Sequence, residues 1–151
     1  MIVYRHADPR FPFLWESELQ PPGRWHRTGE GPVQYFADTP DGAWAEFLRL
    51  EGIRTENEIA NVRRALWAVE IPDDQSAARP LLPSAVMTAG IDSYASCQEE
   101  SRRLRAGGAT ILSAPSAALL PGEARGWKVE GGLRPGPCPA WISTGLFRTP
   151  T

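Results

Sequence analysis

"VQYFADTPDGAWAEFLRLEG", residues 33–52, decides the fold class. Its first five residues have the period of a strand: Val33, Tyr35 and Ala37 share one face, and Gln34 and Phe36 take the other. Thr39, Pro40 and Asp41 then read as a helix start. The hydroxyl can cap, proline suits the first turn, and a carboxylate complements the positive end of the helix dipole. Ala43, Trp44, Phe47, Leu48 and Leu50 form one apolar arc at helical spacing, and Gly52 is placed to stop the helix. Glu46 falls beside that arc. A carboxylate at the edge of a buried stripe is partly desolvated and needs a partner. Tyr35 lies eleven residues earlier. A strand, a tight turn and a helix can bring the two side chains to one cleft.

Working outward, "IVYR" (2–5) reads as a short strand, and 6–32 as a long, polar, Pro-rich connection. Loops of that length inside a compact domain are usually functional or mobile. This one carries Arg24, Trp25, His26 and Arg27 in a row, either a solvated loop or a group set to hold something negative. Downstream, "ENEIANVRR" is a weak helical or turn segment and "ALWAVEIP" (65–72) a strong strand. Residues 73–90 read as loop. "DSYASCQEESRRLRAGG" (92–108) is a polar helix with Asp92 as cap and Gly107 as stop, and "ATILSAP" (109–115) is a strand. The remainder is turn-rich, with "AWIS" as a last short strand. Strands and helices mix without a regular βαβ rhythm. The expectation is an α+β fold: one compact domain over 1–151, with small mixed or antiparallel sheets and flanking helices.

The chain has 151 residues, and 16 basic against 18 acidic side chains leave a formal charge of −2. That balance excludes a general pull toward nucleic acid or an acidic membrane surface, so an anion site must be local. No apolar run approaches the ~20 residues of a membrane span. "MIVYRHADPRFPF" lacks the apolar core of a signal peptide, which points to the cytoplasm. Cys97 and Cys138 stand apart with no CxxC, so both are expected as free thiols. Two histidines without metal-ligand spacing predict no metal site. "ESRRLR" (100–105) reads as a solvated basic helix face. Six tryptophans suit a core, or a pocket for a flat aromatic ligand.

Five pieces follow one another in a specific order: "YR", "GRW", "VQYFADTPDGAWAEFL", "ALWAVEIPDD" and "GGATILSAPSAALLPGE". The series, over residues 2–123, resembles the RES domain, the toxin half of RES–Xre toxin–antitoxin pairs. The resemblance implies an ADP-ribosyltransferase-like fold. It also implies an intracellular enzyme that consumes NAD as a substrate, with no further cofactor, by hydrolysis or phosphorolysis of the nicotinamide–ribose bond. A protein ADP-ribosyltransferase using the same cleft, and a non-catalytic binding module on the same fold, are the alternatives. An Xre-like antitoxin would be the partner, and DNA would be touched only through it.

Matched residue by residue, the family's loop Arg falls on Arg24, its Tyr on Tyr35, its Glu on Glu46, its Ser on Ser116 and its early Arg on Arg5. His26 stands where the family often has Asn, and the tail lacks the Asn-Pro-His that commonly follows the family's Ser. Ser84, in a second Pro-Ser-Ala, is a decoy; Ser116 directly follows a strand. The chemistry suits these residue types. Cleaving a glycosidic bond to nicotinamide builds positive charge on the ribose, which a fixed carboxylate such as Glu46 stabilises. Arg24 and Arg5 would hold the diphosphate. Tyr35 would stack on nicotinamide. The Ser116 hydroxyl would bond the ribose or the carboxamide.

Overall fold

The computed structural model describes residues 1–14, 20–72 and 75–118, together with the backbone of three strands at 125–129, 133–137 and 143–147. The strand–helix unit forms as its residues dictate. β2 (Val33–Ala37) ends at Thr39, whose side chain accepts a hydrogen bond from the Gly42 amide at 2.9 Å, and α1 (Pro40–Leu50) follows with Pro40 in its first turn. Gly52 takes φ 67°, a left-handed conformation that costs glycine little and terminates the helix.

β1 (Ile2–Ala7) and β3 (Ala65–Glu70) flank this unit. β4 (Ile111–Ala114) follows the long helix α4 (Tyr94–Ala106), and β7 (Ser143–Phe147) inserts between β2 and β4. The sheet runs β3-β1-β2-β7-β4, antiparallel at every pairing. β5 (Arg125–Val129) and β6 (Leu133–Pro137) form a separate hairpin. Two apolar clusters occupy opposite faces, as strand alternation requires. Trp25, Val33, Met87, Cys97, Leu112 and Ala114 make one; Val3, Phe36, Ile71 and Ile111 make the other. Each fully buried Val, Leu or Ile contributes roughly 1.5–3 kcal/mol.

One pairing positions the site. β1 meets β3 along its whole length, from Ile2↔Glu70 to Ala7↔Ala65, but meets β2 only at Tyr4↔Ala37. Beyond that point β1 and β2 part, so the sheet opens where Arg5 and His6 face Phe36 and Tyr35.

Several expectations are corrected. β1 runs two residues further than "IVYR", which places His6 on a strand. "ENEIANVRR" contributes one helical turn, α2 (Glu56–Ile59), closed by a capping box between Thr55 and Glu58. The segment read as loop at 73–90 contains α3 (Ser84–Met87), a single turn too short to show a period. Asp92 lies in a 3-10 turn at Ile91–Ser93, and α4 begins after Ser93, so Asp92 is not its cap. The described part of the tail holds three strands; of "AWIS" only Ser143 is described, as the first residue of β7, and residues 140–142 lie outside the described residues, while the proline and glycine of "LRPGP" masked a hairpin strand. Leu50 is 83% exposed, so the packed part of the apolar arc ends at Leu48. Nor is the 100–105 face simply solvated. Arg102 and Arg105 both bind the Glu30 carboxylate, at 2.8 and 3.0 Å, and Arg103 pairs with Glu100. Cys97 is a buried free thiol; Cys138 lies outside the described residues. No helix among the described residues is long and apolar enough to cross a membrane.

Candidate functional site

A cavity of about 370 Å³ opens at the split between β1 and β2, with α1 as one wall and the 20–25 loop as another. That volume lies within the ~300–1,000 Å³ of small-molecule pockets. Arg5, Arg24, Tyr35 and Glu46 all line it. Ser116 joins them through Glu46: its hydroxyl donates to Glu46 Oε1 at 2.5 Å, the Ala117 amide donates to the same oxygen at 3.2 Å, and Pro115 and Ala117 line the cavity. The five residues matched from the sequence thus converge, although Arg5 and Ser116 lie at opposite ends of the matched region. Ser84 is exposed at the start of α3.

Glu46 sits half-buried at the edge of the α1 stripe, where the helical period put it. Its backbone-and-hydroxyl clamp fixes one carboxylate oxygen. Oε2 has no protein partner among the described residues. A carboxylate held on one side and open on the other is arranged to receive a polar or cationic group.

The Arg24–Trp25–His26 loop is sealed into the fold rather than solvated: Trp25 is 3% and His26 2% exposed. The Arg24 guanidinium donates to the Ala89 carbonyl at 2.7 Å and to Ser93 Oγ at 3.0 Å, and lies 4.7 Å over the Tyr94 ring. Two of its nitrogens are therefore spent on the protein, and Arg24 reaches the cavity as an anchored wall. His26 joins the Pro21 carbonyl and the Tyr35 hydroxyl, both at 2.9 Å, and the Trp25 amide donates to that hydroxyl at 3.2 Å. Burial raises the Tyr35 pKa and lowers that of His26. A protonated phenol beside a neutral imidazole fixes the tautomer: Tyr35 O–H donates to Nδ1, and Nε2–H donates to Pro21. Gly23 completes the seal, because a Cβ there would lie 2.6 Å from the Tyr35 hydroxyl.

The opposite wall carries basic side chains. Arg5 Nη1, both ring nitrogens of His6 and Arg64 Nε are buried with no hydrogen-bond partner among the described residues. The Arg64 guanidinium stacks 4.7 Å over Phe47, and His6 packs against Trp44 with ring centroids 4.9 Å apart. Burial, then the neighbouring Arg64 charge, lowers the pKa of both Arg5 and His6. Among the described residues no carboxylate bonds these three groups. Buried polar nitrogens are normally bonded, so three basic side chains with orphaned donors around one cavity mark a place for an anion. Sequence reasoning missed His6 and Arg64. His6 gave a weak signal as the residue beside Arg5; Arg64 gave one only as the cation leading into the strong strand "ALWAVE". Among the described residues no group of three or more His, Cys, Asp or Glu could hold a metal ion.

Comparison with known proteins agrees with the order of motifs. A family model described as RES domain matches residues 2–125. A search of the curated proteins finds no match.

Proposed function

Since this chain belongs to the RES domain family, we propose that its cavity takes NAD and cleaves the nicotinamide–ribose bond, as a toxin held in check by an Xre-like antitoxin. The observation that carries this reading is the polarity of the cavity. A clamped carboxylate stands on one side, and buried nitrogens of Arg5, His6 and Arg64 without a partner among the described residues stand on the other. A dinucleotide has the complementary polarity: a pyridinium on a ribose at one end and a diphosphate beyond.

Glu46 Oε2 faces the ribose and stabilises the oxocarbenium charge that builds as nicotinamide leaves, or takes a proton from a ribose hydroxyl. The clamp matters because a preoriented charge does not reorganise during the reaction. Ser116 and Ala117 are thus positioning groups for Glu46. Tyr35 serves less as a titrating group than as a rigid surface, since its hydroxyl already bridges Trp25 and His26. Arg5 and His6 hold phosphate oxygens, and Arg64 adds positive potential from the rim. Arg24, tied to Ala89 and Ser93, shapes the wall between these regions.

The test is release of nicotinamide from NAD by the purified protein, followed with and without inorganic phosphate. Release by wild type, lost in Glu46→Gln with an unchanged circular dichroism spectrum, supports the proposal. Intact NAD under both conditions refutes it. ADP-ribose as product identifies water as the acceptor, and ADP-ribose 1″-phosphate identifies phosphate.

A further inference from the structure

Among the described residues β3 is the edge strand of the five-stranded sheet, paired with β1 and with no strand on its other side. Edge strands are commonly protected by lysine, proline or a bulge. "ALWAVE" carries none of these, and it exposes Leu66 (47%) and Trp67 (44%) on opposite faces, with Ile2 beside it on β1 also exposed. Arg63 and Arg64 precede the strand and Glu70 ends it, so it is basic at its start and acidic at its end. An antiparallel copy of the same strand would set the basic start of each against the acidic end of the other.

We propose that β3 pairs with β3 of a second copy of this chain, extending the sheet across a two-fold axis at Trp67. The register follows from the side chains. A two-fold axis perpendicular to the sheet keeps each residue on its own face, so the pairing must be centred on a residue. Centring on Trp67 sets Arg64 opposite Glu70 and Leu66 opposite Ala68 on one face, with Ala65 opposite Val69 and Trp67 opposite its own copy on the other. Centring on Ala68 instead sets Leu66 against Glu70, and centring on Leu66 sets Arg64 against Ala68. Only the Trp67 register pairs the charges and stacks the exposed apolar groups. Phe13 already stacks on Trp67 at 4.6 Å, so the two tryptophans would join a continuous aromatic strip.

Sedimentation velocity on the full chain over a micromolar concentration series tests the pairing. A concentration-dependent dimer is expected. Trp67→Lys, which places two like charges at the axis, and Glu70→Arg, which opposes two arginines, should each weaken it by about tenfold or more. The double variant Arg64→Glu, Glu70→Arg reverses both charges and should restore it. Circular dichroism of each variant separates lost pairing from lost folding. A wild type that stays monomeric, a dimer indifferent to Trp67→Lys and Glu70→Arg, or a double variant no better than Glu70→Arg would each overturn the proposal. Protection of the β3 amides from exchange only when a different protein is added would overturn it too.

Discussion

Replacing Arg24 and Arg5 separately by alanine should produce opposite phenotypes, although both arginines line the same cavity. Arg24 is 8% exposed and makes two hydrogen bonds from a charged donor, at 2.7 and 3.0 Å, plus a ring contact at 4.7 Å. Removing it leaves the Ala89 carbonyl and the Ser93 hydroxyl short of a donor. At ~1.5 kcal/mol for each charged hydrogen bond and ~0.5–1 for the cation–π contact, Arg24→Ala should cost about 3–4 kcal/mol. In a chain of this size that lowers Tm by roughly 6–12 °C. Arg5 Nη1 is buried with no hydrogen-bond partner among the described residues, and burial and the neighbouring Arg64 charge both disfavour its charged form. Its removal relieves repulsion and should leave Tm unchanged or higher. It should also weaken NAD or ADP-ribose binding by about 10–100-fold, the worth of one or two charged hydrogen bonds. Thermal melts by circular dichroism and titration calorimetry on the two variants read both quantities. Arg5→Ala unfolding as early as Arg24→Ala while binding ADP-ribose normally, or Arg24→Ala keeping its Tm and losing the ligand, would overturn this division between an anchoring and a binding arginine.

Four further outcomes are expected. Glu46→Gln should slow nicotinamide release by about 10²–10³-fold, whereas Ser116→Ala, which loosens only the clamp, should cost about tenfold in kcat with little change in KM; steady-state kinetics distinguishes them. An anion should raise the depressed His6 pKa, so ADP-ribose should bind more tightly at pH 5.5 than at 7.5 with proton uptake on binding, and calorimetry in buffers of different ionisation enthalpy should show that uptake vanish in His6→Gln. Burial lifts the Asp38 carboxyl to about 6, so the folded state holds a proton that the unfolded chain has released, and this group's contribution to stability falls as pH rises from about 4 to about 6. Asp38→Asn should therefore stabilise the protein at pH 7 by about 1 kcal/mol after allowing for solvent screening, and not at all at pH 3.5, as denaturant titrations at the two pH values would show. Gly23→Ala should push the Tyr35 hydroxyl and His26 apart and lower Tm by several degrees, with a Tyr35→Phe background recovering part of the loss.

What could be read from the chain alone was what nearest neighbours decide. The period-2 run at 33–37, the Thr39 cap, the glycine stop at Gly52 and the position of Glu46 beside the apolar stripe all rest on local backbone geometry, and the structure reproduces them. The ordered motifs also placed the chain in its family, because each motif is a local pattern held in sequence order. The tertiary structure alone decided which cations are free. Arg24 and Arg5 look alike as letters, but one meets Ala89 and Ser93 across the fold and the other faces a gap opened by a broken β1–β2 ladder. Hydrogen-bond satisfaction is a property of what long-range packing brings near, and for that reason no spacing in the sequence reports it. The same holds for β7, whose place between β2 and β4 is set by partners far away along the chain rather than by its own residues.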